Sequence, residues 1–139
     1  MASADRPGPI VHPDNAEFWN HLREHELRLQ CCAECGFVRY PVSPVCPECL
    51  SEEHSWERMS GRGRLASCVT VWRATGHRWW TSRTPFAVAL VHLEEGPRLK
   101  GAIDVEAARD LAPGDRVRVA FEDIEDTALL RFEPEPPER

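Results

Sequence analysis

Lysine is almost absent from this chain of 139 residues: Lys100 is the only one, beside 16 arginines. A Schiff-base mechanism therefore has a single candidate. The chain also lacks an apolar run of 18 residues, so no membrane-spanning helix is expected. Its first residues, MASADRPGPIVHPD, lack the charged and then apolar pattern of a secretory signal and predict a flexible arm over residues 1–13. We therefore expect a cytoplasmic protein with reduced thiols.

Sequence signatures of catalysis are missing as well. The chain has no HExxH motif, no GxSxG elbow and no glycine-rich phosphate loop. His92 beside Glu94 could act as a base, and His21 and His25, one helical turn apart, could bind a metal. No third group completes either site. We therefore favour a structural role for His92 and solvent-exposed positions for His21 and His25.

Charge argues against a general binder of nucleic acid. The formal net charge is −6, whereas such binders usually carry a strong basic excess. Residues 61–132 hold 11 basic and 10 acidic side chains, so this half of the chain offers no broad cationic surface.

The N-terminal part predicts a short helix followed by a strand. The helix is expected over residues 14–25, with Asp14 as its cap and Glu17 at the capping-box position. Phe18 and Trp19 fall on its apolar side, which either covers a core or docks a partner. Alternation from Leu27 to Cys31 then predicts a strand that leads into a group of cysteines.

The C-terminal part predicts a small closed barrel. Five strand-like segments, one short helix at residues 104–110 and no repeats are typical of an OB-fold. The first of these strands alternates through Leu65, Ser67, Val69 and Val71, and the last covers Ala128 to Phe132. The predicted fold class is therefore mainly β. The predicted divisions are an arm at 1–13, a helix and metal-binding segment at 14–57, the barrel at 58–133 and a disordered tail at 134–139.

Five of the six cysteines lie between Gln30 and Cys49. Two CxxC pairs, separated by ten residues, are formed by Cys32, Cys35, Cys46 and Cys49. Such pairs direct four thiolates at one centre, which is the tetrahedral sulfur shell that Zn²⁺ favours. Iron binds in the same shell, so the sequence leaves iron open. Four sulfur ligands leave no position for water, and the metal is therefore predicted to be structural.

Two cysteines are left over. Cys31 is adjacent to Cys32, which has the correct spacing to Cys35, so both neighbours cannot ligate the same ion. Cys68 lies within a strand pattern and is expected to be an apolar filler.

A long segment, WRATGHRWWTSRTPF, interrupts the barrel between Trp72 and Phe86. Its cations and aromatics are Arg73, Arg78, Trp79, Trp80 and Arg83. Such a loop can stack a base and bind phosphates, either of single-stranded nucleic acid or of an adenine nucleotide such as coenzyme A. It can equally dock a protein, because Trp and Arg dominate interface hot spots. The structural alternative is a pair of tryptophans packed under the barrel end.

Five blocks of the sequence together resemble a known family. They are EFWNHLREHELRLQCCAECG, RYPVSPVCPEC, SGRGRLASCVTVWR, PFAVALVHLEEGPRL and LAPGDRVRVAFED. In order and spacing they are similar to the zinc-ribbon OB-fold proteins of the DUF35 type, which are associated with acyl-CoA enzymes. The resemblance implies a rubredoxin-like zinc ribbon followed by an OB-fold, with the four paired cysteines as metal ligands. His25 departs from the pattern, because many relatives have glycine before the glutamate.

The resemblance also implies a function. Such proteins accompany thiolase-like enzymes, including thiolases, hydroxymethylglutaryl-CoA synthases, aldolases and acyltransferases, in which the partner usually supplies the catalytic residues. The leading hypothesis is therefore a non-catalytic subunit of a hetero-oligomer that stabilises its partner and helps to shape a site for acyl-CoA. Phe18, Trp19 and the loop around Trp79 would supply contacts. An OB-fold module that binds single-stranded nucleic acid is the alternative, and a self-sufficient enzyme using Cys31 or His92 is the least favoured.

Overall fold

The computed structural model describes residues 6–136, which form a small sheet and a barrel. The N-terminal part consists of α1 (Ala16–Arg23) and a three-stranded antiparallel sheet with the strands β1 (Arg28–Cys32), β2 (Val38–Arg39) and β3 (His54–Arg58). The barrel strands are β4 (Arg62–Val71), β5 (Phe86–Leu93), β6 (Arg98–Ile103), β7 (Arg116–Ile124) and β8 (Thr127–Pro134). Two short helices lie between barrel strands, α2 (Arg78–Thr81) and α3 (Val105–Asp110).

The barrel is closed, with the strand order β4-β5-β6-β8-β7. All pairings are antiparallel except that of β6 with β8, which is parallel and places Ile103 opposite Phe132. Closure leaves no open sheet edge, which is how small barrels avoid pairing with other chains. The predicted mainly β fold with a five-stranded OB-fold barrel is confirmed.

The first helix starts and ends differently from the prediction. Asn15, not Asp14, is the N-cap, and its side-chain Oδ1 accepts a hydrogen bond from His12 N–H (2.8 Å) instead of capping the helix. The predicted capping box with Glu17 is therefore wrong, because the turn before the helix delays its start. The helix ends at Arg23 because His25 adopts a left-handed conformation (φ of 61°) and its N–H donates to Leu22 O (2.8 Å).

Strand β4 does not keep the predicted alternation. Its pairing with β5 shifts by one residue between Leu65 and Ser67, which is a β-bulge at Ala66. Leu65 is buried, but beyond the bulge Val69 is 60% exposed and Cys68 packs against the core instead. The prediction that Val69 shares a face with Leu65 is therefore wrong, whereas the inward position of Cys68 agrees with its expected role as a filler.

One hydrophobic core joins the helix, the small sheet and the barrel. Phe18, Leu22, Leu27 and Leu29 belong to the same cluster of buried side chains as the barrel residues Val91, Leu99, Val117 and Phe132. Among residues 6–136, no helix is long and apolar enough to cross a membrane.

Parts of both predicted chain ends make contacts where the structure describes them. Arg6, within the predicted flexible arm, has a side chain only 12% exposed and bonded to Glu122. Strand β8 continues to Pro134, opposite Val117, and Glu135 N–H donates to Arg116 O (3.1 Å). The remaining residues of the two predicted ends, 1–5 and 137–139, lie outside the described residues.

Candidate metal centre and aromatic groove

Four cysteines converge in the small sheet as the sequence predicted. The sulfur atoms of Cys32, Cys35, Cys46 and Cys49 all lie within 4.8 Å of one another. Cys32 Sγ is 3.5 Å from Cys49 Sγ, and Cys35 Sγ is 3.6 Å from Cys46 Sγ. A tetrahedral shell with Zn–S bonds of about 2.3 Å needs sulfur separations of about 3.8 Å, so these residues fit a metal ion with little movement. They form a candidate metal-binding site.

The two CxxC turns share one backbone geometry. Gly36 follows the first pair with a φ of 79°, and its N–H donates to Cys32 O (3.0 Å). Leu50 follows the second pair with a φ of 67°, and its N–H donates to Cys46 O (2.8 Å). A bond from the backbone N–H of Cys35 contributes most to lowering the pKa of the Cys32 thiol, to about 6. The first turn therefore favours the thiolate of Cys32, the form that binds a metal. At Cys35 the Phe37 backbone bond lowers the pKa, but burial and contacts with the other three cysteines outweigh it and raise the pKa to about 12.

The other predicted metal and catalytic candidates do not assemble a site. Within the described part of the chain, the four cysteines are the only group of three or more potential ligands at metal-binding distance. Cys31 stands outside this group, and its thiol contacts Gly36 O at 3.6 Å. His21 contacts Glu17 (3.4 Å), whereas His25 contacts Asp123 (2.7 Å).

The pairing of His92 with Glu94, which the sequence allowed but did not favour, is not formed. His92 is exposed and makes no side-chain hydrogen bond within residues 6–136, whereas Glu94 contacts Arg62 (3.5 Å) and Ser60 (3.2 Å). The two side chains therefore show none of the mutual orientation that a base and its positioning group require.

A large apolar groove lies on the outer face of β5, β6 and β8, between α1 and the loop 72–85. Its volume is about 950 Å³. Five of the seven predicted contact residues line it: Phe18, Trp19, Trp79, Trp80 and Arg83. The other two, Arg73 and Arg78, do not. Trp19 of the helix and Trp79 of the loop, 60 positions apart in the sequence, thus contribute to one surface.

Trp79 and Trp80 are half-buried rather than exposed, and Trp72, at 66% exposure, is the open aromatic of this loop. The two indoles meet edge to face, with centroids 4.8 Å apart and planes at 82°. The guanidinium carbons of Arg83 and Arg6 lie 4.1 and 4.5 Å from the Trp79 centroid. Of the predicted cations, Arg83 contacts the Trp79 ring, and Arg6, which the sequence did not predict, contacts it as well.

Charged residues at the groove are paired. Glu122 accepts hydrogen bonds from Arg6 Nη1 (2.5 Å) and Arg131 Nη1 (3.2 Å). The bond from Arg6 contributes most to a lowered pKa of the Glu122 carboxyl. Sequence reasoning missed these residues and also Tyr40, which lines the groove, because no local motif brings together side chains from four separate segments.

The groove lies where OB-folds bind ligands. β5 and β6 are the second and third strands of the barrel, and residues 72–85 connect its first two strands. In this fold, the face of strands two and three and the adjoining loops form the usual binding surface. The arrangement can hold an apolar group beside cations, or it can pack against an apolar surface of another protein.

Comparison with known proteins gives the same two-part division. Residues 19–55 match the rubredoxin-like zinc ribbon domain of ChsH2, and residues 56–122 match the C-terminal OB-fold domain of ChsH2. A DUF35 domain-containing scaffold protein from Methanothermobacter thermautotrophicus is 31% identical over 108 residues, which are 76% of this chain and 80% of that protein.

Two further relatives are informative. The 3-oxo-4,17-pregnadiene-20-carboxyl-CoA hydratase alpha subunit of Mycobacterium tuberculosis is 36% identical over 127 residues, 91% of this chain. The match spans only 40% of that longer relative. Among solved structures, a chain of an Ltp2-ChsH2(DUF35) aldolase superposes with a TM-score of 0.80 at 28% identity, covering 91% of this chain and 98% of that one.

Proposed function

The chain belongs to the DUF35 family of zinc-ribbon and OB-fold proteins, and on this premise we propose that it is a non-catalytic accessory subunit of an acyl-CoA enzyme. The observation that carries the proposal is the apolar groove that α1 and the loop 72–85 form together. Apolar surface of this extent is a mark of sites that bind protein or ligand. The similar proteins are named as a scaffold, a hydratase subunit and part of an aldolase, which supports the same role.

The proposed partner is a thiolase-like enzyme that forms or cleaves a carbon–carbon bond. In this arrangement the partner supplies the catalytic groups, since the described residues hold no nucleophile, base and orienting group in contact. Trp19 and Trp80, which are half-buried, would pack against the partner or against its acyl substrate. Phe18 is buried in the core and supports Trp19 from beneath, with ring centroids 5.2 Å apart. The coenzyme A thioester would lie where the two subunits meet.

The metal centre has a structural part in this proposal. Two of its ligands, Cys32 and Cys46, are buried, and all four positions of a tetrahedral ion would be taken by sulfur. We propose Zn²⁺ as the ion. Its role would be to cross-link the two CxxC turns and not to activate water. The ribbon would then present α1 to the partner in a fixed orientation.

A reconstitution experiment tests the proposed function. The full chain is purified by affinity tag from its native host, co-purifying proteins are identified, and the recovered enzyme is assayed for turnover of acyl-CoA with and without the chain. We expect a thiolase-like enzyme in fixed ratio, and we expect Trp80→Ala with Trp19→Ala to weaken its retention at least tenfold. A matched pair of surface changes, Val69→Ala and Leu50→Ala, should leave it unchanged. A partner that is equally stable and active without the chain overturns the proposal.

Nucleic-acid binding is the alternative, and one observation argues against it. An OB-fold that binds single strands needs open aromatic rings on which bases stack. The Trp79 ring is already in contact with two guanidinium groups and with Trp80. Salt-sensitive binding of an oligonucleotide, lost on Trp79→Ala, would restore this alternative.

A further inference from the structure

A row of basic side chains crosses the outer face of the barrel at the end opposite the loop 72–85. Direct pairing places Arg98 of β6 opposite His92 of β5, His92 opposite Arg64 of β4, and Arg64 opposite Arg116 of β7. All four side chains are exposed, whereas Leu99, Val91, Leu65 and Val117 beside them are buried. The strand alternation therefore directs the whole row outwards. Across three strand spacings the row is about 14 Å long.

The row places like charges opposite each other on neighbouring strands, Arg64 of β4 against Arg116 of β7. Like charges directly opposite on neighbouring strands destabilise a sheet. A second like-charge pair, Arg62 opposite Arg118, lies two residues away, but Glu94 and Glu133 contact these arginines at 3.5 and 2.6 Å. Arg64 has no carboxylate within ion-pair distance among the described residues, and its Nη1 donates instead to Gly114 O (2.9 Å). A chain with a net charge of −6 thus keeps a concentrated basic row at one place.

The row borders a cavity of about 550 Å³. Three arginines and one histidine line it, Arg62, Arg64, Arg116 and His92, together with two acids, Glu94 and Glu135. Glu94 is engaged by Arg62, and among residues 6–136 neither Glu135 nor any other carboxylate lies within ion-pair distance of Arg64 or His92. These two side chains therefore remain to meet a ligand. Arginine forks match the oxygens of phosphate groups, and a ligand with several phosphates matches a row better than a single anion does.

The row and the apolar groove lie on one continuous strip of the barrel. Lys100, which lines the groove, is two residues from Arg98 on β6, or about 7 Å along the strand. On β5, Val88 of the groove is four residues from His92, or about 13 Å. A ligand with phosphates at one end, an extended arm and an apolar group at the other can therefore span both features.

We propose that the row Arg98–His92–Arg64–Arg116 binds the phosphate groups of the coenzyme A nucleotide, with the acyl end directed towards the groove. This inference rests on the proposed function, because that function supplies the acyl-CoA. It adds a site on this chain, outside the groove, for the polar end of the ligand.

Calorimetric titration of the full, metal-loaded chain tests the proposal without any partner. The probes are coenzyme A, adenosine 3′,5′-bisphosphate, inorganic phosphate and a short oligothymidylate, each at low and at physiological ionic strength. The variants are Arg64→Gln and the double change His92→Gln with Arg98→Gln. The double variant removes side chains that make no hydrogen bond within residues 6–136, so folding should not change. Arg109→Gln, on α3, removes the same charge from another surface.

We expect coenzyme A and the bisphosphate to bind more tightly than inorganic phosphate, and each row variant to weaken them at least tenfold while Arg109→Gln does not. Binding that is absent, or unaffected by the row variants, overturns the proposal. An oligonucleotide that binds more tightly than coenzyme A through the same arginines overturns it in favour of nucleic acid. Retention of the partner enzyme by the row variants is measured in parallel. Loss of nucleotide binding with the partner retained separates this site from the accessory role.

Discussion

The imidazole of His25 lies flat against the ring of Phe121, with centroids 5.0 Å apart and planes inclined by 5°. The same imidazole contacts Asp123 Oδ1 at 2.7 Å. His25 ends the turn that follows α1, whereas Phe121 and Asp123 belong to β7, so this contact fixes the helix end to the barrel. A stacked pair and an exposed hydrogen bond together contribute about 1–2 kcal/mol.

His25→Ala should therefore destabilise the protein by about 1–2 kcal/mol, because the contact is lost and the left-handed backbone remains. His25→Gly loses the same contact but relieves the backbone, where φ is 61°. We expect its free energy of unfolding to lie closer to that of the parent. Urea unfolding of the three proteins measures the difference. Equal losses for Ala and Gly would show that the backbone conformation costs nothing here.

At Leu50, in contrast, a substitution by glycine should raise the stability of the protein. It occupies the position after the second CxxC pair with a φ of 67°, where the first pair has Gly36, and its side chain is 74% exposed. Leu50→Gly should stabilise the metal-loaded protein by up to about 1 kcal/mol, because relief of the left-handed conformation exceeds the entropy cost of glycine. The reverse change, Gly36→Leu, should cost a similar amount. Thermal unfolding of both variants tests this, and destabilisation by Leu50→Gly would contradict it.

The metal centre was predictable from sequence because its information is local. Each CxxC pair sets its own turn geometry, and the short separation of the two pairs in the sequence lets Cys32, Cys35, Cys46 and Cys49 converge. Barrel strands were predictable for the same reason, from alternation and turn residues. The alternation failed at Ala66, since a bulge reverses the faces of all later residues in β4 and leaves no mark in the sequence.

The groove was only partly predictable. Its aromatics were found because tryptophans in a long loop are conspicuous, but their partners come from long-range packing. Arg6 and Glu122 are 116 residues apart in the sequence and meet only because the barrel brings β7 beside the N-terminal segment. Counting basic and acidic residues in the sequence did not reveal the basic row, for a related reason. Its members are spread over four strands, and only strand register places them in line.

Removal of one ligand should abolish metal binding. Cys46 is fully buried, so Cys46→Ser replaces a thiolate by a poor ligand with no room for a substitute. We expect the metal content to fall from one ion per chain to near zero and the circular dichroism of the small sheet to be lost. Cys31→Ser should retain the ion, because Cys31 lies outside the sulfur cluster. Metal analysis of both purified variants checks this, and loss of metal from Cys31→Ser would contradict the ligand assignment.

The ion pairs at the groove predict a dependence of stability on pH. Hydrogen bonds from Arg6 and Arg131 hold the pKa of Glu122 below its usual value. A carboxyl whose pKa is lowered on folding stabilises the protein above its unfolded pKa, and this contribution is lost as pH falls through the lowered, folded pKa. Glu122→Gln should therefore cost about 1 kcal/mol at pH 7.

The cost of Glu122→Gln should diminish in acid, because both proteins are then uncharged at this position. Urea unfolding of the parent and the variant between neutral and acidic pH measures the difference. Glu106→Gln provides the matched control, since Glu106 also contacts an arginine, Arg109 at 3.2 Å, but on the exposed surface of α3. Its effect should be within a few tenths of a kcal/mol at every pH. A cost of Glu122→Gln that stays constant into acid would mean that the carboxylate charge contributes nothing to stability.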